Sequence, residues 1–295
     1  MKIWITSSAL AGSSDGMLWS GALFGLTYLQ QFDHQCGFAG EELSDQLQKL
    51  LQNEQINAAS FRPSEADLTI GAKDDTLIWG DETDDRKTFN DWIALSRALC
   101  FPQRTVIHQR KTAETNINIE LNLDGSGQND IQTGLSFFDH MLEQIAKHGL
   151  MDVSLRCDGD LAVDEHHTIE DVAIALGEAI TKALSNKTGI TRYGFALPMD
   201  ESACTVLLDL SGRPFLAFDG NFSRDMVGDF PTEMVEHFFY SLAMSLKATL
   251  HISVDGKNDH HKIEACFKSF AHCLRGALSR NERNLNILPS TKNLL

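Results

Sequence analysis

The chain has 295 residues, 42% of them hydrophobic, and a formal net charge of -16. That length suits two domains better than one and permits a sizeable core. So acidic a surface excludes nucleic acid as a partner, because phosphate contacts need Lys and Arg; any anionic small molecule would need a local basic pocket.

In chain order, the opening Met1–Ala11 has the outline of a signal peptide, but Thr6, Ser7 and Ser8 interrupt its apolar run and a buried first strand is the better reading. The longest apolar stretch, Met17–Leu29, is broken by Ser, Gly and Thr and is too short to span a bilayer, so no membrane partner is expected. The stretch Gly40–Leu51 reads as an amphipathic helix with Leu43, Leu47, Leu50 and Leu51 on one face. Asp67–Ile70 and Thr76–Ile78 with Trp79 read as short strands ending at Gly71 and Gly80, and Asp91–Leu99 as a closing helix. Phe101-Pro102-Gln103 reads as a linker, which sets residues 1–103 apart as an N-terminal α/β domain and leaves 104–295 as the second domain.

The second domain carries an internal repeat, at about 104–195 and 196–285, followed by a C-terminal tail. The first half runs strand (117–123), helix (136–148), strand (152–157), helix (166–184). The second runs strands (204–209 and 215–222), helix (232–247), strand (249–254), helix (260–278). Such a pair predicts an α+β sandwich built from two copies. Histidine usage follows the division: ten of the eleven histidines lie after residue 103, so the chemistry belongs there. The six cysteines (36, 100, 157, 204, 266, 273) have no C-x-x-C spacing and read as free thiols of a reducing, cytoplasmic compartment.

In each half the last helix opens with H-H-x-x-E, as His166-His167-Thr168-Ile169-Glu170 and as His260-His261-Lys262-Ile263-Glu264, and the earlier helix carries one histidine near its start or middle, His140 or His237. Asp164 and Asn258 or Asp259 are available as helix caps. A glutamate at i+4 or i+3 can share an ion with either histidine of its pair. Neighbouring helical residues point about 100° apart, so the paired histidines should serve different ions. A lone His-His pair is usually surface decoration, but two in matching positions point to metal. Six imidazoles and two carboxylates suit two open, catalytic sites for Mn, Fe, Co, Ni or Zn.

Several stretches closely resemble imidazoleglycerol-phosphate dehydratase. They are Lys111–Thr115, Phe137–Gln144, the D-E-H-H-T-I-E-D block at 164–171, Ser211–Pro214, Gly256–Glu264 and the tail Pro289–Lys292, in order over nearly all of 105–295. The resemblance implies a duplicated sandwich of the ribosomal-protein-S5-domain-2 type, with helices packed on one face of the sheets. It also implies two Mn²⁺ per active site and a homo-oligomer of 24 subunits with active sites between subunits. It carries the metal ligands onto His140, His166, His167, Glu170, His237, His260, His261 and Glu264. It carries contacts to a phosphorylated imidazole substrate onto Glu114, Gln144, His148, Arg192, Arg213, Lys268, Ser290 and Lys292. Arginine forks suit the phosphate and supply the basic pocket that the overall charge lacks.

The implied reaction removes water from imidazole glycerol phosphate to give imidazole acetol phosphate in histidine biosynthesis. No cofactor is available as electron sink, so the substrate's own imidazole must serve, stabilised by the two ions. Glu114 is the candidate base or proton shuttle, and His166, Glu170 and Glu264 complete the catalytic set. Two rival readings use the same ligands: a dinuclear phosphate-ester hydrolase, distinguished by phosphate release, and a metal-buffering protein with closed coordination.

Some members of that family carry an N-terminal histidinol-phosphate phosphatase of the haloacid-dehalogenase type, which needs a D-x-D after its first strand. Here Thr6-Ser7-Ser8 follows Lys2–Ile5 instead. Gly80-Asp81-Glu82-Thr83-Asp84 resembles that type's late metal motif, one residue short, and an acidic turn explains it equally well. The segment is expected to lack phosphatase activity, as a shortened relative or an unrelated appendage.

Overall fold

The computed structural model describes residues 1–11, 17–38, 43–73, 76–80, 87–194, 198–292 and 294, and the chain divides into two compact units, Met1–Pro102 and Gln103–Leu295. The stretch at 81–84 lies outside the described residues, as do residues 40–42 of the expected helix.

The first unit runs β1 (Lys2–Ile5), α1 (Ser7–Leu10), α2 (Ala22–Gln31), β2 (Gln35–Gly37), α3 (Asp45–Asn53), β3 (Leu68–Lys73), β4 (Thr76–Trp79), β5 (Lys87–Phe89) and α4 (Trp92–Cys100). Its sheet has the order β2-β1-β3-β4-β5, parallel through β2, β1 and β3 and antiparallel beyond. Ile3 and Ile5 of β1 are fully buried, as the first strand of a core should be. α3 starts at Asp45 because the Ser44 side chain accepts the Leu47 amide and caps the first turn. Leu47 and Leu51 face the core, and Leu43 is buried ahead of the helix. The strand expected to stop at Gly71 runs on to Lys73, since Gly71 pairs with Ile78 across an antiparallel ladder. Trp92 is buried at the start of α4, with its indole N–H donating to the Ala9 carbonyl at 2.7 Å.

The second unit begins with β6 (Thr105–Lys111), β7 (Thr115–Asn122), β8 (Asn129–Gln132), α5 (Ser136–Gly149), β9 (Asp152–Gly159) and α6 (His166–Leu184). There follow β10 (Tyr193–Gly194), β11 (Pro198–Met199), β12 (Ser202–Asp209), β13 (Phe215–Asp219), β14 (Met226–Val227), β15 (Phe230–Pro231), α7 (Met234–Leu246), β16 (Thr249–Asp255) and α8 (Asp259–Leu278). One sheet has the order β6-β7-β9-β8 and the other β10-β12-β16-β13. Each of these orders has two antiparallel pairings and then a parallel edge, β8 on β9 or β13 on β16; β11 also pairs antiparallel with β12, and β14 and β15 form a ribbon of their own.

Alternation along β7 and β12 turns Ile117, Ile119 and Leu121, and Cys204, Val206 and Leu208, toward the helices. α6 packs on β6 and β7, α8 packs on β10 and β12, and the helices meet as α6 with α7 and α5 with α8. Phe138, Phe238, Phe239, Phe267 and Phe270, all fully buried, fill the space among them. β6 and β8 lack the apolar alternation that marks β7, because β6 turns His108 and Arg110 inward. Among the described residues no helix is long and apolar enough to cross a membrane, and the six cysteines are free thiols.

Candidate metal centre

α6 and α8 place their motifs on the first turn. Asp164 accepts the His166 amide and Asn258 accepts the His260 amide, each at 3.0 Å. These side-chain acceptors satisfy helix N–H groups that have no partner within the helix. His166 and Glu170 are one turn apart on α6, with Nε2 3.4 Å from Oε2. α7, crossing α6, brings His237 Nε2 to 3.4 Å from the other Glu170 oxygen and its ring to 4.8 Å from that of His166. Ligand atoms of all three residues lie within 4.8 Å of one another.

α8 and α5 make the counterpart. His260 Nε2 lies 3.7 Å from one Glu264 oxygen and His140 Nε2 lies 3.9 Å from the other. Each trio therefore takes two residues from one half of the unit and the third from the other half. In the second trio Lys268 Nζ stands 2.8 Å from Glu264, and Gln144 donates to the His140 carbonyl at 3.1 Å.

The donor set fits divalent transition metal. Among the described residues His237 Nε2, which is buried, has no hydrogen-bond partner, although it faces a carboxylate and a second imidazole. A buried ring nitrogen without a partner is costly unless something else binds it. Imidazole with carboxylate is the ligand mixture of such ions.

The second histidine of each pair points elsewhere. His167 Nδ1 sits 3.0 Å from Asp160, and its Nε2 is 3.9 Å from Glu114. His261 Nδ1 sits 2.8 Å from Glu201. The hydrogen bond to Asp160 raises the pKa of His167, and that to Glu201 raises the pKa of His261. The same bond holds Glu201 down to about 2. Glu114 itself is about half exposed, on the hairpin between β6 and β7. That hairpin is tied down by buried Asp171, which accepts from Thr115, Thr112 and Arg110.

The residues expected to hold substrate are distributed around these groups. The His148 ring lies 5.2 Å from that of His272, and burial, with nearby His272 and Lys268, lowers its pKa. Arg192 grips Asp209 through Nε (2.5 Å) and one terminal nitrogen (2.9 Å), and donates to the Pro289 carbonyl at 2.8 Å. It thereby anchors the tail, where Ser290 Oγ donates to the Leu294 carbonyl and accepts the Lys292 amide. Arg213 is exposed in the turn after β12, its amide donating to Ser211 Oγ at 3.1 Å. Among the described residues no hydrogen bond or ion pair joins Arg213 to Arg192 or Lys268.

Sequence reasoning missed Asp160, Glu201 and Asp209. The first two meet their histidines only through folding. One signal was nonetheless available: aligning the two halves sets Glu201, directly before β12, against Glu114, directly before β7.

A family model described as imidazoleglycerol-phosphate dehydratase matches residues 133–274. The histidine biosynthesis bifunctional protein HisB of Spirosoma linguale is 53% identical over 205 residues, which are 70% of this chain and 54% of that protein. The protein of the same description from Stenotrophomonas maltophilia is also 53% identical over 205 residues, 70% of this chain and 57% of that protein. The chain thus spans little more than half the length of these curated relatives. The crystal structure of imidazoleglycerol-phosphate dehydratase from Staphylococcus aureus superposes with a TM-score of 0.54 at 35% identity, over 60% of this chain and 100% of that one. The dehydratase of Pyrococcus furiosus, in complex with (S)-C348, does so with a TM-score of 0.54 at 34% identity, over 63% and 99%. With solved members matched essentially end to end at such identity, the chain belongs to the imidazoleglycerol-phosphate dehydratase family.

Proposed function

We propose that this chain eliminates water from imidazole glycerol phosphate, giving imidazole acetol phosphate for histidine biosynthesis, with two Mn²⁺ per active site. The observation that carries the reading is the trio His166, Glu170 and His237, with a buried nitrogen on His237 that has no hydrogen-bond partner among the described residues. Family membership supplies the substrate class.

His166, Glu170 and His237 would hold one ion, and His140, His260 and Glu264 the other. When bound, the ions supply Lewis-acid polarisation of the substrate's imidazole, the sink for the electrons of the breaking bonds. Glu114, exposed and close to His167 Nε2, takes the proton from the substrate carbon and passes it to the hydroxyl of the neighbouring carbon, which leaves as water. The enol that remains tautomerises to the ketone. Arg192, Arg213, Lys268, Ser290 and Lys292 surround the phosphate, with Gln144 and His148 contacting the remainder of the substrate.

His167 and His261 are outside both trios within one chain. We assign them to trios of neighbouring copies, which gives each ion three imidazoles and one carboxylate and makes the active site intersubunit. A 24-subunit assembly of duplicated S5-like sandwiches in the cytoplasm is the setting this reading requires. The first unit then has no assigned step in the elimination.

The test incubates the purified chain with Mn²⁺ and imidazole glycerol phosphate and follows formation of the ketone, with phosphate release from the substrate and from histidinol phosphate measured alongside. Ketone without phosphate is expected. Phosphate release without ketone would replace the dehydratase by a dinuclear hydrolase.

A further inference from the structure

Both H-H-x-x-E motifs present the Nδ1 of their second histidine to a carboxylate, but the two carboxylates come from different places in the fold. His167 Nδ1 lies 3.0 and 3.2 Å from the two oxygens of Asp160, which follows β9. His261 Nδ1 lies 2.8 Å from Glu201, which precedes β12. An ionised carboxylate only accepts, so in each ring Nδ1 must carry the proton and a neutral ring must keep the Nε2 lone pair bare. Bare Nε2 is the form that binds a metal ion.

The sheet registers explain why the sources differ. Thr115, the first residue of β7, is paired with Gly159, and Asp160 comes next. The pairing of Ala203 with Asp255 sets Ser202 opposite Gly256, so the position matching Asp160 is Lys257, which has no acceptor. Glu201 fills the role there. Its second oxygen is also fixed, accepting the Asn258 amide at 3.0 Å. In the first half Asp160 already occupies Nδ1. The matching hairpin glutamate, Glu114, is left about half exposed and 3.9 Å from Nε2, the opposite side of the ring.

We infer that Asp160 and Glu201 are positioning residues, each holding one imidazole with Nε2 toward an ion, and that Asp160 thereby releases Glu114 for proton transfer. The inference rests on the metal reading above. Carboxylates behind ligating histidines are worth about 10–100-fold in metal affinity.

The experiment titrates the full chain with Mn²⁺ against a fluorescent chelator, for wild type, Glu201→Ala, Asp160→Ala and Glu201→Gln. Glu201→Ala is expected to weaken one of the two ions by about 10–100-fold and leave the other unchanged. Asp160→Ala should do the same to the other ion. Glu201→Gln keeps an acceptor oxygen and should lose much less. Unchanged affinity in both alanine variants, or equal weakening of both ions in either one, overturns the inference. Wild type that takes up no Mn²⁺ overturns the metal reading instead. Neutron diffraction from metal-free wild-type crystals then still decides the orientation, and needs no variant. A deuteron on Nδ1 of His167 and His261 is expected, and one on Nε2 alone refutes it.

Discussion

Glu114 and Glu201 occupy matching places at the heads of β7 and β12, yet their surroundings differ. Glu201 is held by an imidazole and an amide and stays ionised far into acid. Among the described residues the Glu114 carboxylate has only the 3.9 Å approach of His167. A group that must gain and lose a proton in turnover cannot be committed so strongly to one form. Glu114→Gln should therefore lower kcat by about 10²–10⁴-fold and leave Mn²⁺ content unchanged, measured by elemental analysis beside the ketone assay. Turnover like wild type would refute the role. The motif histidines and glutamates were legible in the sequence because helical spacing alone sets His166 beside Glu170. Their orienting carboxylates were not: Glu201 reaches His261 through the pairing of β12 with β16, and Asp160 reaches His167 from the loop between β9 and α6, neither at a helical spacing.

At the scale of elements, the crossing of α6 and α7 is what brings His237 to its partners. It is close because Gly177 faces Ser245: a Cβ there would lie 1.9 Å from Ser245 Oγ and 2.9 Å from the Leu246 amide nitrogen. Alanine in mid-helix ordinarily gains about 1 kcal/mol over glycine. Overpacking a tight core contact costs about 1–3 kcal/mol, and Ser245 cannot turn away freely, since its hydroxyl donates within α7 to the Ser241 carbonyl at 2.9 Å. Gly177→Ala should thus be destabilising by about 1–2 kcal/mol, read as a lower melting temperature in calorimetry; a higher one would mean the helices separate at no cost. The four helices of the second unit were readable to within a few residues, whereas α2 was not, its residues standing out only as part of an apolar stretch. β6 was not, because its inward positions include His108 and Arg110, partnered by Glu178 and Asp171. Polar residues satisfied by the helix packed on the sheet, here α6, erase the period on which strand reading depends.

At the scale of the molecule, the second unit is closed by a charge cluster joining its beginning to its last helix. Asp124 accepts from Arg104 at 2.7 Å and from Arg280 at 3.1 Å, while Arg104 also donates to the Leu278 carbonyl at 2.9 Å. Burial acts to raise the Asp124 pKa, but the hydrogen bonds and charge of Arg104, with the charge of Arg280, outweigh it and the net shift is downward. A carboxyl lowered in the folded state contributes stability that is complete above its unfolded value, about 4. That stability is lost as pH falls through the folded value. Asp124→Asn should lower the melting temperature at pH 7, at a cost of about 2 kcal/mol for hydrogen bonds to charged partners. The deficit against wild type should shrink as the pH is brought below 4, and a deficit that stays constant across the range would exclude this linkage. The two compact units divide after Pro102; this closure within the second joins residues far apart in the chain and had no signature in the sequence.

The exchange of histidines between halves has a consequence for how such a centre can arise. With His237 on α7 and its partners on α6, a half-length chain would hold a helix motif and a lone imidazole that cannot meet inside one molecule. Two such chains would have to collide, and dilution would undo them. Joined end to end, the halves encounter each other at a millimolar effective concentration or above, so each trio forms within one chain however scarce the protein is.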